Sequence, residues 1–157
     1  MNKLTYYVDK GTGEYEPFYE YTVPNVGIDE LYARQLCTYF IINGQQYKVV
    51  SNELDGGEDI IVVKDIGNSA RVMDEKTFHG NGLNMEIRRF REEENYKLLS
   101  IIPCQTHFDI IRYLLKDIIN VTGLGQKQVT SSEIDEDRGV YVLYIKDIGE
   151  EEENSFR

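Results

Sequence analysis

Nowhere does this chain carry an apolar run approaching the ~18 residues of a membrane-spanning helix. The opening Met1-Asn2-Lys3-Leu4-Thr5-Tyr6-Tyr7 also lacks the apolar core of a secretory leader. A cytoplasmic protein with no membrane partner is expected. Cysteine is scarce, with only Cys37 and Cys104, and without a secretory signal both are expected to stay thiols. Together with His79 and His107 they exhaust the inventory for a soft metal, and only Cys104 and His107 are close in sequence, which is not the spacing of a zinc finger or ribbon. The glycine pairs Gly11-Thr12-Gly13 and Gly123-Leu124-Gly125 lack the strand–turn–helix setting of a phosphate loop. No metal and no cofactor are expected. Bases are few as well: 17 against 28 acids, a net charge of −11, with 13 acids and 7 bases in residues 1–80 and 15 with 10 in 81–157. Neither half reads as a nucleic-acid binder. An acidic surface repels phosphate backbones and suits a basic protein or a small cationic ligand instead.

What is present is a repeat. Val49-Val50-Ser51-Asn52-Glu53-Leu54-Asp55, running on to Lys64-Asp65-Ile66-Gly67, returns as Val129-Thr130-Ser131-Ser132-Glu133-Ile134-Asp135, running on to Lys146-Asp147-Ile148-Gly149. Ungapped, residues 29–55 match 109–135 at six of 27 positions. The surrounding layout recurs too. A strand-like Leu4–Lys10, a Gly-Thr-Gly turn, the strand-like Tyr15–Val23, Pro24 and a helix from Asp29 are mirrored by Leu83–Arg91, a polar turn at Glu92–Asn95, Tyr96–Ile102, Pro103 and a helix from Thr106. The expected fold is α+β, an internally duplicated pair of ββαββ units, 4–67 and 83–149, forming antiparallel sheet with two main helices on one side or against each other. Residues 68–82 would link the units, folding back on the sheet through Met73 and Phe78, and 150–157 would be a disordered acidic tail. Hydrophobic content of 41% with 29% charged residues, over 157 residues, is enough for a core in one pseudo-symmetric domain without metal or disulfide.

Alternation on a strand puts Tyr15, Tyr19 and Tyr21 on one face, a stripe that suits a ligand wall, an interface or an ordinary sheet rim. In the first helix, near Asp29–Cys37, the plausible buried side is Ile28, Leu31, Tyr32 and Leu36. Thr38–Ile42 then reads as a strand, and Asn43-Gly44 is the strongest hairpin signal in the chain. The second helix has Thr106 as cap and Asp109 three residues on, with Ile110, Ile111, Leu114, Leu115, Ile118 and Ile119 as its core stripe. Arg88, Arg89 and Arg91 stand before Glu92, Glu93 and Glu94, which reads as surface cross-strand pairing.

Three candidate sites follow. The repeated Ser-x-Glu-x-Asp would gather four carboxylates for a hard cation if the strand ends met, with Glu53 and Glu133 at its centre, or would be two solvated strand ends without a metal. Cys104 before a helix N-terminus, with His107 three residues on, has elements of a reactive thiolate, though no third residue orients the histidine; a half-buried structural cysteine is the plainer reading. Tyr15, Tyr19 and Tyr21, with Glu53 and Glu133, are the third, as ligand-binding candidates.

With no recognisable catalytic group, the expected function is a non-enzymatic binding or regulatory module. In arrangement alone, the duplicated ββαββ layout resembles the tandem-repeat effector-binding domains of bacterial transcription regulators and gyrase-inhibitory proteins. That resemblance implies a ligand cleft between the halves, lined by tyrosines and a glutamate suited to a cationic aromatic ligand, the alternative reading, with a Cys104-dependent enzyme as the third.

Overall fold

A computed structural model describes residues 3–69 and 75–150. Met73 and the tail from residue 151 onward therefore lie outside the described residues. Along the chain come β1 (Lys3–Gly11), β2 (Glu14–Thr22), α1 (Ile28–Gln35), β3 (Tyr39–Ile42), β4 (Gln45–Asp55) and β5 (Glu58–Asn68). They are followed by β6 (Leu83–Arg89), β7 (Leu98–Cys104), α2 (His107–Leu114), β8 (Ile118–Val121), β9 (Gly125–Asp135) and β10 (Val140–Lys146). A 3-10 turn, Glu92–Glu94, links β6 to β7.

All ten strands join one sheet in the order β2-β1-β5-β4-β3-β9-β10-β6-β7, with β8 added beside β9. The class is α+β, but the sheet is mixed rather than antiparallel: β1 with β5, β6 with β10 and β3 with β9 are parallel pairs. Three strands, not two, follow each helix, so the ββαββ layout is corrected to ββαβββ. Each short run after a helix, Tyr39–Ile42 and Ile118–Val121, is rich in β-branched or aromatic residues and forms a strand of its own. The partner order β2-β1-β5-β4-β3 recurs as β7-β6-β10-β9-β8, so Val49–Asp55 in β4 and Val129–Asp135 in β9 hold the same place in that order.

Both helices lie on one face and pack against each other over the main core, where Leu31, Ala33 and Ile110 meet Tyr6, Phe40, Ile61, Ile87 and Leu143. β10 is buried on both faces and accordingly reads as the continuous apolar run Val-Tyr-Val-Leu-Tyr-Ile. Its other face meets a smaller cluster with Phe78, Phe90, Val140, Val142 and Tyr144. Phe78 is the residue of the 75–82 segment that folds back, its N–H donating to Arg138 O at 2.7 Å.

The helices differ from expectation. α1 buries Leu31, Ala33 and Arg34, while Ile28, Tyr32 and Leu36 are exposed. α2 stops at Leu114, so Ile118 and Ile119 belong to β8 and Leu115 and Ile118 are exposed. Its start is as expected, with the Asp109 carboxylate accepting from the Thr106 and Gln105 N–H groups at 3.3 and 3.1 Å. At Asn43-Gly44 the chain turns with φ of 52° and 76°, the left-handed pair a two-residue hairpin requires. That turn docks on the β9–β10 turn, where the Asp137 carboxylate accepts from the Asn43 and Gly44 N–H groups at 2.7 and 2.8 Å.

Candidate binding site

The repeated acids meet opposite fates. Glu53 and Asp55 are exposed on β4, Glu53 accepting from Ser51 Oγ at 2.9 Å, whereas Glu133 and Asp135 are buried, correcting the expectation of two solvated strand ends. They do not meet. Tyr39 pairs with both Lys48 and Glu133, so Glu53, five residues past Lys48, lies ~16 Å further along the sheet. Among the described residues no group of three or more His, Cys, Asp or Glu is placed to hold a metal.

Glu133 and Asp135 belong to a buried ionic cluster on the helix-free face, under the 75–80 segment. Glu86 accepts from Arg88 Nε at 2.8 Å and from both terminal nitrogens of Arg138 at 3.0 Å. Arg138 Nε also donates to Asp135 at 2.8 Å. Glu133 accepts from Gln46 Nε2 at 3.2 Å and from the Tyr144 hydroxyl at 3.3 Å. Four carboxyls, of Glu75, Glu86, Glu133 and Asp135, here face only the two guanidinium groups of Arg88 and Arg138, a balance that favours the neutral form among the carboxyls. Burial, reinforced by Asp135, pushes Glu133 up to about 8. Burial also raises Asp135 against the pull of Arg138, while at Glu86 it is outweighed by the hydrogen bonds from Arg138 and Arg88, which leave that carboxyl below its usual value. These groups are engaged with one another, so the cluster works as an internal tie. It also takes Arg88 out of the expected surface cluster, leaving Arg89 and Arg91 to pair with Glu94 and Glu150.

On the helix-bearing face, Arg34 is buried between the Tyr21 ring, 4.5 Å from its guanidinium carbon, and Glu136, which accepts from its Nε at 2.8 Å. The Tyr21 hydroxyl donates to the same Glu136 carboxylate. Tyr15, Tyr19 and Tyr21 do not form one stripe, because a bulge at Phe18 breaks the alternation between Tyr19 and Pro17. Tyr15 stays exposed near the hairpin tip, while Phe18, Tyr19 and Tyr21 gather around Phe40 and Tyr6. A shallow groove of about 340 Å³ runs past Thr5, Pro17, Phe18, Tyr19 and Glu20, and neither Glu53 nor Glu133 lines it.

Cys104 and His107 are set apart. Burial, with Asp109 adding to it, raises the Cys104 thiol, which points at Ile102 O at 3.7 Å, the opposite of what a reactive thiolate needs. His107 instead packs edge-on against Tyr141 with ring centres 5.5 Å apart, and burial lowers its pKa.

The feature that sequence reasoning missed is a split in the sheet. β3 (at Glu133–Asp135) and β8 (at Gly125–Gln128) occupy the same edge of β9, since β10 takes the other. β4 pairs with β3 only through Gln45–Lys48, so from Val50 to Asp55 its edge away from β5 has no strand partner among the described residues. Ile118 pairs with Gln128, five residues before Glu133, while Glu53 stands five after Lys48. The outer edge of β8 and the upper edge of β4 therefore face the same slot, yet do not pair. The C-terminus of α1 spans its lower end, with Asn52 of β4 donating to Gln35 O at 3.0 Å and Ser132 of β9 donating to Leu36 O at 3.3 Å. On the β8 side a groove of about 210 Å³ is lined by Arg112, Tyr113, Lys116, Ile118, Ile119 and Asn120. The only sequence signal for the split was the pair of short strand-like runs after the helices, one of which the helical spacing concealed.

No protein-family model, curated protein or solved structure matches this chain. No helix among the described residues is long and apolar enough to cross a membrane.

Proposed function

We propose that this protein is a non-enzymatic, cytoplasmic binding module, an internal duplication of two ββαβββ units, that takes a basic protein partner on its helix-bearing side. One observation carries the reading. Leu54, Phe108 and Leu115 are 73, 68 and 61% exposed and Tyr32 is half exposed, all on the helices or beside the split, in a chain of net charge −11. Large apolar side chains left at the surface of so acidic a chain suit a partner that is both apolar and basic. The recurring partner order and the repeated text support the duplication. The test is a titration with lysine-rich amphipathic peptides alongside nucleotides, divalent cations and cationic aromatics. Saturable, salt-sensitive binding of the peptides alone is expected; binding confined to the small ligands would overturn it.

A second reading, a small-molecule effector module, is favoured by the groove at Phe18, Tyr19 and Glu20, where aromatic walls and a carboxylate suit a cationic aromatic ligand. Tyr19→Ala, which would abolish such binding and leave the peptides unaffected, separates the two.

A further inference from the structure

Resting on the protein-binding reading, we propose that the split between β4 and β8 is a strand-acceptor site, and that its occupant is an extended segment of a partner protein carrying apolar residues and lysine or arginine. The free edges of a sheet are hazards that chains blunt. Here the two outer edge strands each contain a proline, Pro17 in β2 and Pro103 in β7, of only three in the chain. The edges lining the split contain none, although the upper part of β4 and the outer side of β8 are equally unpaired among the described residues.

The chain itself shows what such an edge accepts. Glu133-Ile134-Asp135 of β9 pairs in parallel with Tyr39–Ile41 of β3, and Glu53-Leu54-Asp55, with the same two acids around a branched aliphatic residue, holds the same place in the partner order of β4. Gly56 and Gly57, at φ of 57° and 88°, close the β4–β5 hairpin with Asp55 opposite Glu58. In a two-residue hairpin that flanking pair exchanges both backbone hydrogen bonds, so Asp55 and Glu53 point their backbone groups at β5 while Leu54 and Asn52 point theirs into the split. Charge selects the occupant. The β4 lip carries exposed Glu53 and Asp55, and the opposite lip carries exposed Arg112 and Lys116, so a basic strand is drawn to the β4 side and oriented there. Leu54 and Ile118, 73 and 42% exposed, supply apolar contact. Main-chain bonds along an open edge provide affinity and alternate side chains provide selectivity, as in other strand-addition sites.

The test uses a fluorescent peptide copying residues 38–42 with two lysines at each end, titrated by anisotropy and followed by amide hydrogen exchange. Saturable binding with new protection at Asn52 and Leu54 is expected, weakened about tenfold or more by Leu54→Pro, which removes an outward N–H, and by Glu53→Lys with Asp55→Lys. The charge reversal keeps the test decisive if the proline variant does not fold, since both acids are exposed. Binding that protects another face and ignores both variants overturns the strand-acceptor site but leaves the protein-binding reading standing. Failure of this peptide and of every basic peptide overturns both. A sedimentation-detected dimer that protects Asn52 and Leu54 without peptide, and dissociates in Leu54→Pro, overturns the foreign partner in favour of a second copy of the chain.

Discussion

Glu53 and Glu133 share the serine two residues before and the aspartate two residues after, and almost nothing else. The 75–80 segment, anchored by Phe78 and by Arg138, which donates to Lys76 O at 3.2 Å, covers the helix-free face over β9, β10 and β6. The corresponding part of β4 remains at solvent, so one glutamate is an exposed ion and the other a buried acid. The repeated text pointed to like strand positions but could not show which of the two strands the segment covers. A carboxyl raised to about 8 in the fold and near the ordinary glutamate value of about 4.5 when unfolded holds its proton more tightly in the native state, so its contribution to stability is fully present below pH 4.5 and is lost as pH rises through 8. Glu133→Gln mimics the neutral form and keeps the contacts to Gln46 and Tyr144. It should match the wild type near pH 5, and the gap in its favour should widen by up to about 1.4 kcal/mol per pH unit towards pH 8 in paired urea melts. A gap independent of pH would mean that Glu133 is ionised in the fold.

At the scale of elements, the helical stripe of α2 was legible through Ile110 and failed after Leu114. Ile118 and Ile119 continue the helical spacing, but they also begin the β-branched run Ile118-Ile119-Asn120-Val121, and pairing with β9 decided it. The same signal in Thr38–Ile42 was read correctly because Asn43-Gly44 follows it with a hairpin turn. In α1 the buried side was displaced because Arg34 goes inward to Glu136 and Tyr21, an ion pair across elements that apolar spacing does not encode. Ile110→Ala should cost about 2–5 kcal/mol as a core truncation, whereas Leu115→Ser should cost less than about 0.5 kcal/mol, since its side chain is already in solvent. Equal losses in urea melts would mean that α2 is rotated from the described packing. Asp137→Ala should cost about 1–3 kcal/mol by leaving the Asn43 and Gly44 turn without its carboxylate. A loss near zero would mean that the two turns are not coupled in solution.

At the scale of the whole molecule, α+β class, helix placement and hairpin turns could be read from spacing, but the parallel pairs could not. Alternation tells which residues share a face and nothing about which strand lies alongside, so the contacts of β1 with β5 and β3 with β9, each joining segments distant in the chain, left no local trace. The split arises from the same long-range level: β3 fills one end of the slot between β4 and β9, β8 borders the other, and no turn or cap marks the gap. The central claim is that this edge is open in the free protein. Amide hydrogen exchange of the unliganded chain tests it most directly, because β4 should alternate, with Glu53 and Asp55 protected by β5 and Asn52 and Leu54 exchanging as freely as a loop. Slow exchange at Asn52 and Leu54 in a monomer, matching that of Glu53, would show that β4 and β8 are already paired and that there is no acceptor edge.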